Sequence, residues 1–231
     1  MTKNIFTIVF CYTFLSAITV CGQVVSNQVN LFDKTNLTEW DFHTDQKDVT
    51  VEQIYSFADN KTLICKGQPF GWLGTKETYK NFKLSVEYRW TPEAKPTNSG
   101  VFLRLNKQSK NTFLPRCIEV QLAHKNAGDL YGFHDMALPA PEGTDKTRII
   151  TRDGGERSGA INGLRKIADH EKESGTWNKL DILCNNGLIV VVVNGIIVNW
   201  VTNAEQTSGK IGFQSEGGPV EFRNAILTVL P

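Results

Sequence analysis

The sequence predicts an all-β protein, two antiparallel sheets packed as a sandwich, and three observations carry that reading. Apolar and polar residues alternate with a period of two in several segments, the mark of a strand with one buried face. Strand signals recur about every 8–12 residues with almost no helical periodicity between them. Two Asn-Gly pairs, Asn186-Gly187 and Asn194-Gly195, separate apolar runs, and Asn-Gly readily takes the positive φ angles of a tight hairpin turn.

In chain order, residues 1–22 read as a secretory leader rather than structure. Lys3 supplies a positive charge, Ile5–Val20 is an apolar run broken only by small or hydroxyl residues, and Cys21-Gly22 precede Gln23. A membrane anchor is the alternative, but a spanning helix needs roughly 20 apolar residues. Acylation of Cys21, as in a lipoprotein, is disfavoured by the bulk of Val20 before it. The mature chain, 23–231, is therefore expected to be a single exported domain, periplasmic or secreted, with no stable membrane span. It keeps Cys65, Cys117 and Cys184, an odd count at long spacings that reads as buried small hydrophobes rather than a disulfide framework.

Phe82–Trp90 alternates strictly, and Val101–Leu105 and Cys117–Leu122 repeat the pattern. Leu180–Cys184, Leu188–Val193 and Ile196–Val201 form a three-strand meander around the Asn-Gly turns, and Lys210–Ser215 and Val220–Leu230 close the chain as strands. Between them, 126–173 is an excursion rich in Gly, Pro and charge, with weak periodicity. A stretch of this kind inside a compact domain is expected to be a structured insertion walling a binding site.

Composition removes several function classes. Lys+Arg number 25 against 24 Asp+Glu, so the basic surplus a nucleic-acid binder needs is missing. Thr151–Glu156 has the glycines of a phosphate loop but no strand before it and no Lys-Ser/Thr end. The four His lack metal-ligand spacing, and neither a metal nor a cofactor is implied.

Strand parity sorts the polar residues. Val101, Leu103 and Leu105 are expected to face the core, leaving Phe102 and Arg104 on the other side. Ile118, Val120 and Leu122 face the core, leaving Cys117, Glu119 and Gln121. Gly212, Gln214 and Glu216 likewise oppose Ile211, Phe213 and Ser215. A solvated outer face gives the same alternation. The residue types, Gln, Glu, Arg and an aromatic, instead suit a surface that hydrogen-bonds sugar hydroxyls.

Asn98-Ser-Gly-Val-Phe-Leu-Arg104, Ile118-Glu-Val-Gln121 and Gly128-Asp-Leu-Tyr-Gly132 resemble the 3-keto-disaccharide hydrolase family. So do Leu31-Phe-Asp33, Thr176-Trp-Asn178 and Gly209–Asn224, and the resemblance spans about residues 30–231. It implies a concanavalin A-like jelly roll with sugar bound in the hollow of one sheet, and a substrate oxidised at C3. The stretch between Tyr131 and Glu173 is longer and more charged than the family pattern.

A ketone at C3 acidifies the C2 proton and places the anomeric leaving group β to it, so elimination needs a base, an acid and donors for the enolate oxygen, while ordinary glycoside hydrolysis by two carboxylates is the alternative. Glu119, mid-strand between apolar neighbours, and Glu216, before a Gly-Gly-Pro turn, are candidate acid or base, and His134 is a third catalytic candidate. Each has a plainer reading: Glu119 as a partner for Arg104, and His134 as a surface residue. Asn98, Arg104, Gln121, Tyr131, Asp135 and Gln214 are candidate sugar ligands, Tyr131 by stacking and Arg104 as donor to the keto oxygen. A non-catalytic carbohydrate-binding module, or a structural sandwich, would use the same architecture without the titratable groups.

Overall fold

The computed structural model describes residues 28–92, 97–106 and 114–231. The leader assigned to residues 1–22, its end and Cys21 lie outside the described residues.

Among the described residues, sixteen strands follow one another with only short helical turns between them. β1 (Gln28–Asn30), β2 (Trp40–Thr44), β3 (Tyr55–Phe57), β4 (Leu63–Cys65) and β5 (Gly71–Thr75) precede the long β6 (Phe82–Trp90). β7 (Gly100–Leu105), β8 (Ile118–Gln121), β9 (Leu130–Gly132), β10 (Ile149–Asp153) and β11 (Ala160–Leu164) come next. β12 (Asn178–Asn185), β13 (Leu188–Val193), β14 (Ile196–Val201), β15 (Lys210–Ser215) and β16 (Val220–Val229) complete the order.

The strands form two eight-stranded sheets in which each pair is antiparallel. The back sheet runs β14-β13-β12-β6-β16-β4-β3, with β1 also on β16, and the front sheet runs β10-β11-β9-β8-β7-β15-β5-β2. The meander β12–β14 turns where the sequence says it should. Asn186 and Gly187 have φ of 46° and 84°, and Asn194 and Gly195 have 51° and 85°, the left-handed pairs that match the twist of the flanking strands.

Between the sheets lies one apolar core, fed by alternate residues of each strand. At its centre the Phe213 ring stands 5.1 Å from Phe32 and 5.1 Å from Phe222, while Tyr55 Oη donates to the Phe213 carbonyl at 2.8 Å. Cys65, Cys117 and Cys184 are free and buried, as expected of small hydrophobes, and burial pushes the Cys65 thiol up to about 11.

A second apolar cluster, including Trp72, Phe102, Leu105, Cys117, Phe133 and Ile161, covers the other face of the front sheet. Its presence corrects the parity expected for β7. Leu105 joins Phe102 there instead of the core, because β7 carries a bulge: Leu105 pairs with Lys210 and Phe102 with Gly212, three residues against two. Arg104 is the extra residue, with a left-handed φ of 53°. Its side chain is therefore turned inward, wholly buried, with the core residue Cys184 of the opposite sheet among its electrostatic neighbours. No guanidinium nitrogen of Arg104 has a hydrogen-bond partner among the described residues, and Glu119, the partner expected from the sequence, lies on the cavity face of the sheet. Arg104 is thus turned away from the sheet face on which the sequence reading expected it to meet a sugar.

The excursion at 126–173 is less loop-like than its sequence. It supplies β9, β10, β11 and the short helix Gly155–Ser158, extending the front sheet by three strands. Among the described residues no helix is long and apolar enough to cross a membrane.

Candidate functional site

On the face of the front sheet away from the core, a cavity of about 400 Å³ opens above β8, β9 and β11. In β8, Ile118 and Val120 enter the core while Glu119 and Gln121 line the cavity. Glu119 pairs across the sheet with Phe102 of β7 and Tyr131 of β9, and Gln121 pairs with Gly100. Gly100 is what makes room for the carboxyl. A Cβ at Gly100 would stand 2.3 Å from Glu119 Oε1, so the Glu119 head group lies directly over the Gly100 backbone.

On the next strand, Gln214 sits one residue beyond the Phe213–Val101 pair and so flanks Gly100. Its Nε2 donates to Glu216 Oε2 at 2.9 Å, and the same side chain lies beside the Glu119 carboxyl and favours its charged form. The Asn98-Ser99 segment locks this arrangement: Ser99 Oγ donates to the Gln214 carbonyl at 2.7 Å, and Asn98 forms an isolated bridge with Glu216. Glu119, Glu216 and Gln214 therefore converge, with Asn98, Gln121 and Tyr131 around them. Gln121 Oε1 is engaged by the Leu122 and Ala123 amides, which fixes the turn after β8. Tyr131 is stacked on Phe133 at 6.3 Å and 8°.

The two carboxyls are not equivalent. Burial, and secondarily the charge of Glu216, pushes the Glu119 carboxyl well above the usual carboxylate range, against the opposing influence of the neighbouring Gln214 amide. Burial also raises Glu216, but the Arg157 guanidinium, 3.2 Å from its Oε1, opposes the rise. Of the two carboxyls, Glu119 is therefore pushed further up and Glu216 is held back by Arg157, so Glu119 keeps its proton to higher pH. Asn98 Oδ1, Glu119 Oε1 and Gln214 Oε1 are buried without a hydrogen-bond partner among the described residues. Buried polar atoms left in this state are costly unless a ligand meets them.

His134 and Asp135 stand outside this cavity. Both have left-handed backbone, φ 53° and 58°, which turns the chain away after Phe133. His134 Nε2 donates to the Leu114 carbonyl at 2.9 Å, so the ring braces the segment behind the wall, and Asp135 is exposed. Neither is placed to do the catalytic or binding work expected of it.

The wall itself holds residues the sequence reading did not single out: Arg152, Asp153, Arg157 and Ser158 from the 126–173 excursion. Their only sequence signal was the density of Gly and charge in Thr151–Arg157. Among the described residues no group of three or more His, Cys, Asp or Glu is arranged to hold a metal ion.

Residues 27–228 match the family described as the 3-keto-alpha-glucoside-1,2-lyase-like domain. No curated protein matches the chain in sequence. Among solved structures, the chain is similar to one described as a putative glycosyl hydrolase from Parabacteroides distasonis ATCC 8503. That likeness has 23% identity and a TM-score of 0.59, covering 88% of this chain and 99% of that one. LamAcat from Zobellia galactanivorans is similar at 10% identity and a TM-score of 0.57, covering 88% and 96%. The carbohydrate-binding module CBM66 from Bacillus subtilis is similar at 8% identity and a TM-score of 0.55, covering 82% and 95%. These likenesses show the jelly-roll fold expected from the sequence.

Proposed function

The chain belongs to the 3-keto-alpha-glucoside-1,2-lyase-like family, and from that premise we propose that it cleaves glycosides already oxidised at C3 by acid–base-assisted elimination. One observation carries the reading: two buried carboxyls share a cavity, Glu119 pushed well up by burial and Glu216 raised less because Arg157 opposes the rise, with the Gln214 amide donating to Glu216 and lying beside Glu119. Pairs whose environments push their pKa values apart divide the acid and base roles.

In this scheme the Glu216 carboxylate removes the acidified C2 proton. The electron pair moves into a C1–C2 double bond, the C1–oxygen bond breaks, and Glu119 gives its proton to the departing oxygen. Arg157 supplies positive charge beside Glu216, where the enolate develops. Water then adds across the double bond, its hydroxyl to C1 and a proton from Glu216 to C2, while Glu119 recovers its proton from that water. The net reaction is hydrolysis. Export belongs to the same proposal, supported by the leader-like run at Ile5–Val20.

The test is a side-by-side screen of 3-keto disaccharides and their unmodified parents for release of free sugar. Turnover of the keto forms alone is expected. Cleavage of the unmodified sugars alone would replace elimination by ordinary two-carboxylate hydrolysis, and binding without cleavage of either would make the protein a carbohydrate-binding module.

The roles also fix a pH response. A base must be ionised, so kcat/KM falls as pH drops through the Glu216 pKa. Because Arg157 holds that pKa down, Arg157→Gln is expected to move the acidic limb of the pH–rate profile to higher pH. A limb that stays in place while kcat changes would remove Glu216 as the base.

A further inference from the structure

The cavity that holds Glu119 and Glu216 changes chemistry along its length. Where the two carboxyls converge, the unsatisfied groups beside them are acceptors, Asn98 Oδ1 and Gln214 Oε1. The middle is apolar, lined by Ile161 and by the Tyr131 ring stacked on Phe133 at 8°. At the far wall stands Arg152 of β10, exposed and paired across the sheet with Ile161.

Strand order sets the span. Glu119, Tyr131, Gly163 and Ile150 form one cross-strand row through β8, β9, β11 and β10, and Arg152 stands two residues beyond Ile150. Three strand spacings, about 14 Å, separate the two ends of that row. One ring and its substituent fit between the Glu119 carboxyl and the Arg152 wall.

The charges of the wall are unequally matched. Arg157 is ion-paired with Glu216, and Asp153 Oδ1 accepts the Gly155 amide at 2.9 Å. Arg152 has neither a hydrogen bond nor an ion pair among the described residues, and the Tyr131 hydroxyl forms no hydrogen bond among them either. Burial raises the Tyr131 phenol, and the Arg152 charge is among those opposing the rise, so the guanidinium stands within electrostatic reach of that hydroxyl. A guanidinium can only donate, and the phenol O–H can donate beside it. A sugar hydroxyl seeks a partner of each kind, whereas an oxyanion only accepts and is held best by charged donors.

We propose that the aglycone of the substrate is acidic: a ring bearing a carboxylate or sulfate, its apolar face on Tyr131 and its oxyanion against Arg152 and the Tyr131 hydroxyl. This names the leaving group of the reaction proposed above and rests on that reaction for its direction. With Glu216 as base and Glu119 as acid, the departing oxygen points toward β9 and β10. Arg152 then binds the aglycone and takes no part in the bonds that break.

The test uses phenyl α-glucosides carrying a para carboxymethyl, sulfomethyl or carbamoylmethyl group, the amide being the uncharged match and the sulfomethyl standing for a sulfate. Binding of these unoxidised compounds is followed by NMR titration at low and high salt. Both acids, or one of them, are expected to bind about fivefold tighter than the amide at low salt, with the gap closing at high salt. Preference for one acid alone identifies the oxyanion. Arg152 is exposed on an edge strand, so its replacement leaves the fold intact. Arg152→Gln is expected to bring the acids to the level of the amide, and Arg152→Glu to put them below it. With the corresponding 3-keto glucosides the acid-to-amide ratio of kcat/KM is expected to follow the same order, through KM. Equal binding of acids and amide by the parent protein, or a preference that survives Arg152→Gln, overturns the acidic aglycone. An Arg152-dependent preference in a protein that cleaves none of the 3-keto forms keeps the anion seat and overturns the elimination chemistry instead.

Discussion

Glu119→Gln is expected to lower turnover of a 3-keto glycoside about 10³-fold, with binding of the sugar largely retained. Gln is close to Glu in volume and fills the same space over Gly100. It donates hydrogen bonds but has no proton to give the departing oxygen, so the loss falls on kcat rather than KM. The same substitution is expected to stabilise the protein, which separates loss of chemistry from loss of fold. Burial raises the Glu119 pKa in the folded state above its unfolded value. Below the usual carboxylate range both states hold the proton and the stability contribution is fully present. As pH climbs, the unfolded chain ionises first, and stability is lost progressively until the folded carboxyl also ionises. Gln does not titrate, so the Tm advantage of Glu119→Gln should widen from acid toward neutral and alkaline pH. Thermal denaturation of both proteins across that range checks the sign. An advantage that narrowed with rising pH would show that Glu119 is ionised in the fold and is not the acid.

A carboxyl that weakens the fold while completing a cavity is the pattern expected where activity and stability compete. Its position was legible in the sequence because β8 obeys the rule that alternate residues face opposite sides. Ile118-Glu-Val-Gln121 is short and regular, and Glu119 and Gln121 fall where period two puts them. The meander was legible for a related reason, since Asn-Gly turns announce their backbone conformation. Arg104 was misread because a bulge inserts one residue and reverses parity beyond it, and nothing in Val101–Leu105 marks that event. His134 and Asp135 were misread because consecutive left-handed residues redirect the chain, and neither is a glycine that would flag the turn.

The Arg152–Ser158 wall was hidden for the opposite reason. β10 is an edge strand whose residues are mostly exposed, so hydrophobic alternation has little to act on. β5 was hidden by burial on both faces, since Gly71-Trp-Leu-Gly-Thr75 is buried throughout and a strand covered on both sides loses its alternation. Trp40-Asp-Phe-His-Thr44, by contrast, does alternate, and parity applied there would have placed Asp41 and His43 on the side away from the core. The common cause is that period two reports a half-buried strand and little else. Residues carried by bulges, turns, edges or doubly buried strands need the third dimension.

Gly100→Ala is expected to leave the protein folded and to lower kcat about 10²-fold, because a displacement of about 1 Å at a reacting group costs on that order. The backbone at Gly100 is in a β-strand that alanine adopts freely, so the substitution carries no conformational penalty of the left-handed kind. What it meets is the Glu119 side chain, with Oε1 at 2.3 Å, Cδ at 2.9 Å and Cγ at 2.9 Å from the new methyl carbon. These atoms belong to a side chain, so Glu119 yields rather than the sheet, and the carboxyl leaves its place beside Gln214. Displacement also loosens its coupling to Glu216, since the Gln214 amide beside it stays hydrogen-bonded to Glu216 on β15. The expected signature is therefore a Tm near that of the parent, a lowered kcat, and an alkaline limb of the pH–rate profile shifted from its original position. Unchanged kinetics in a folded Gly100→Ala protein would mean that the reacting ring does not depend on the carboxyl's seat over the Gly100 backbone, and the acid would have to be sought elsewhere in the cavity.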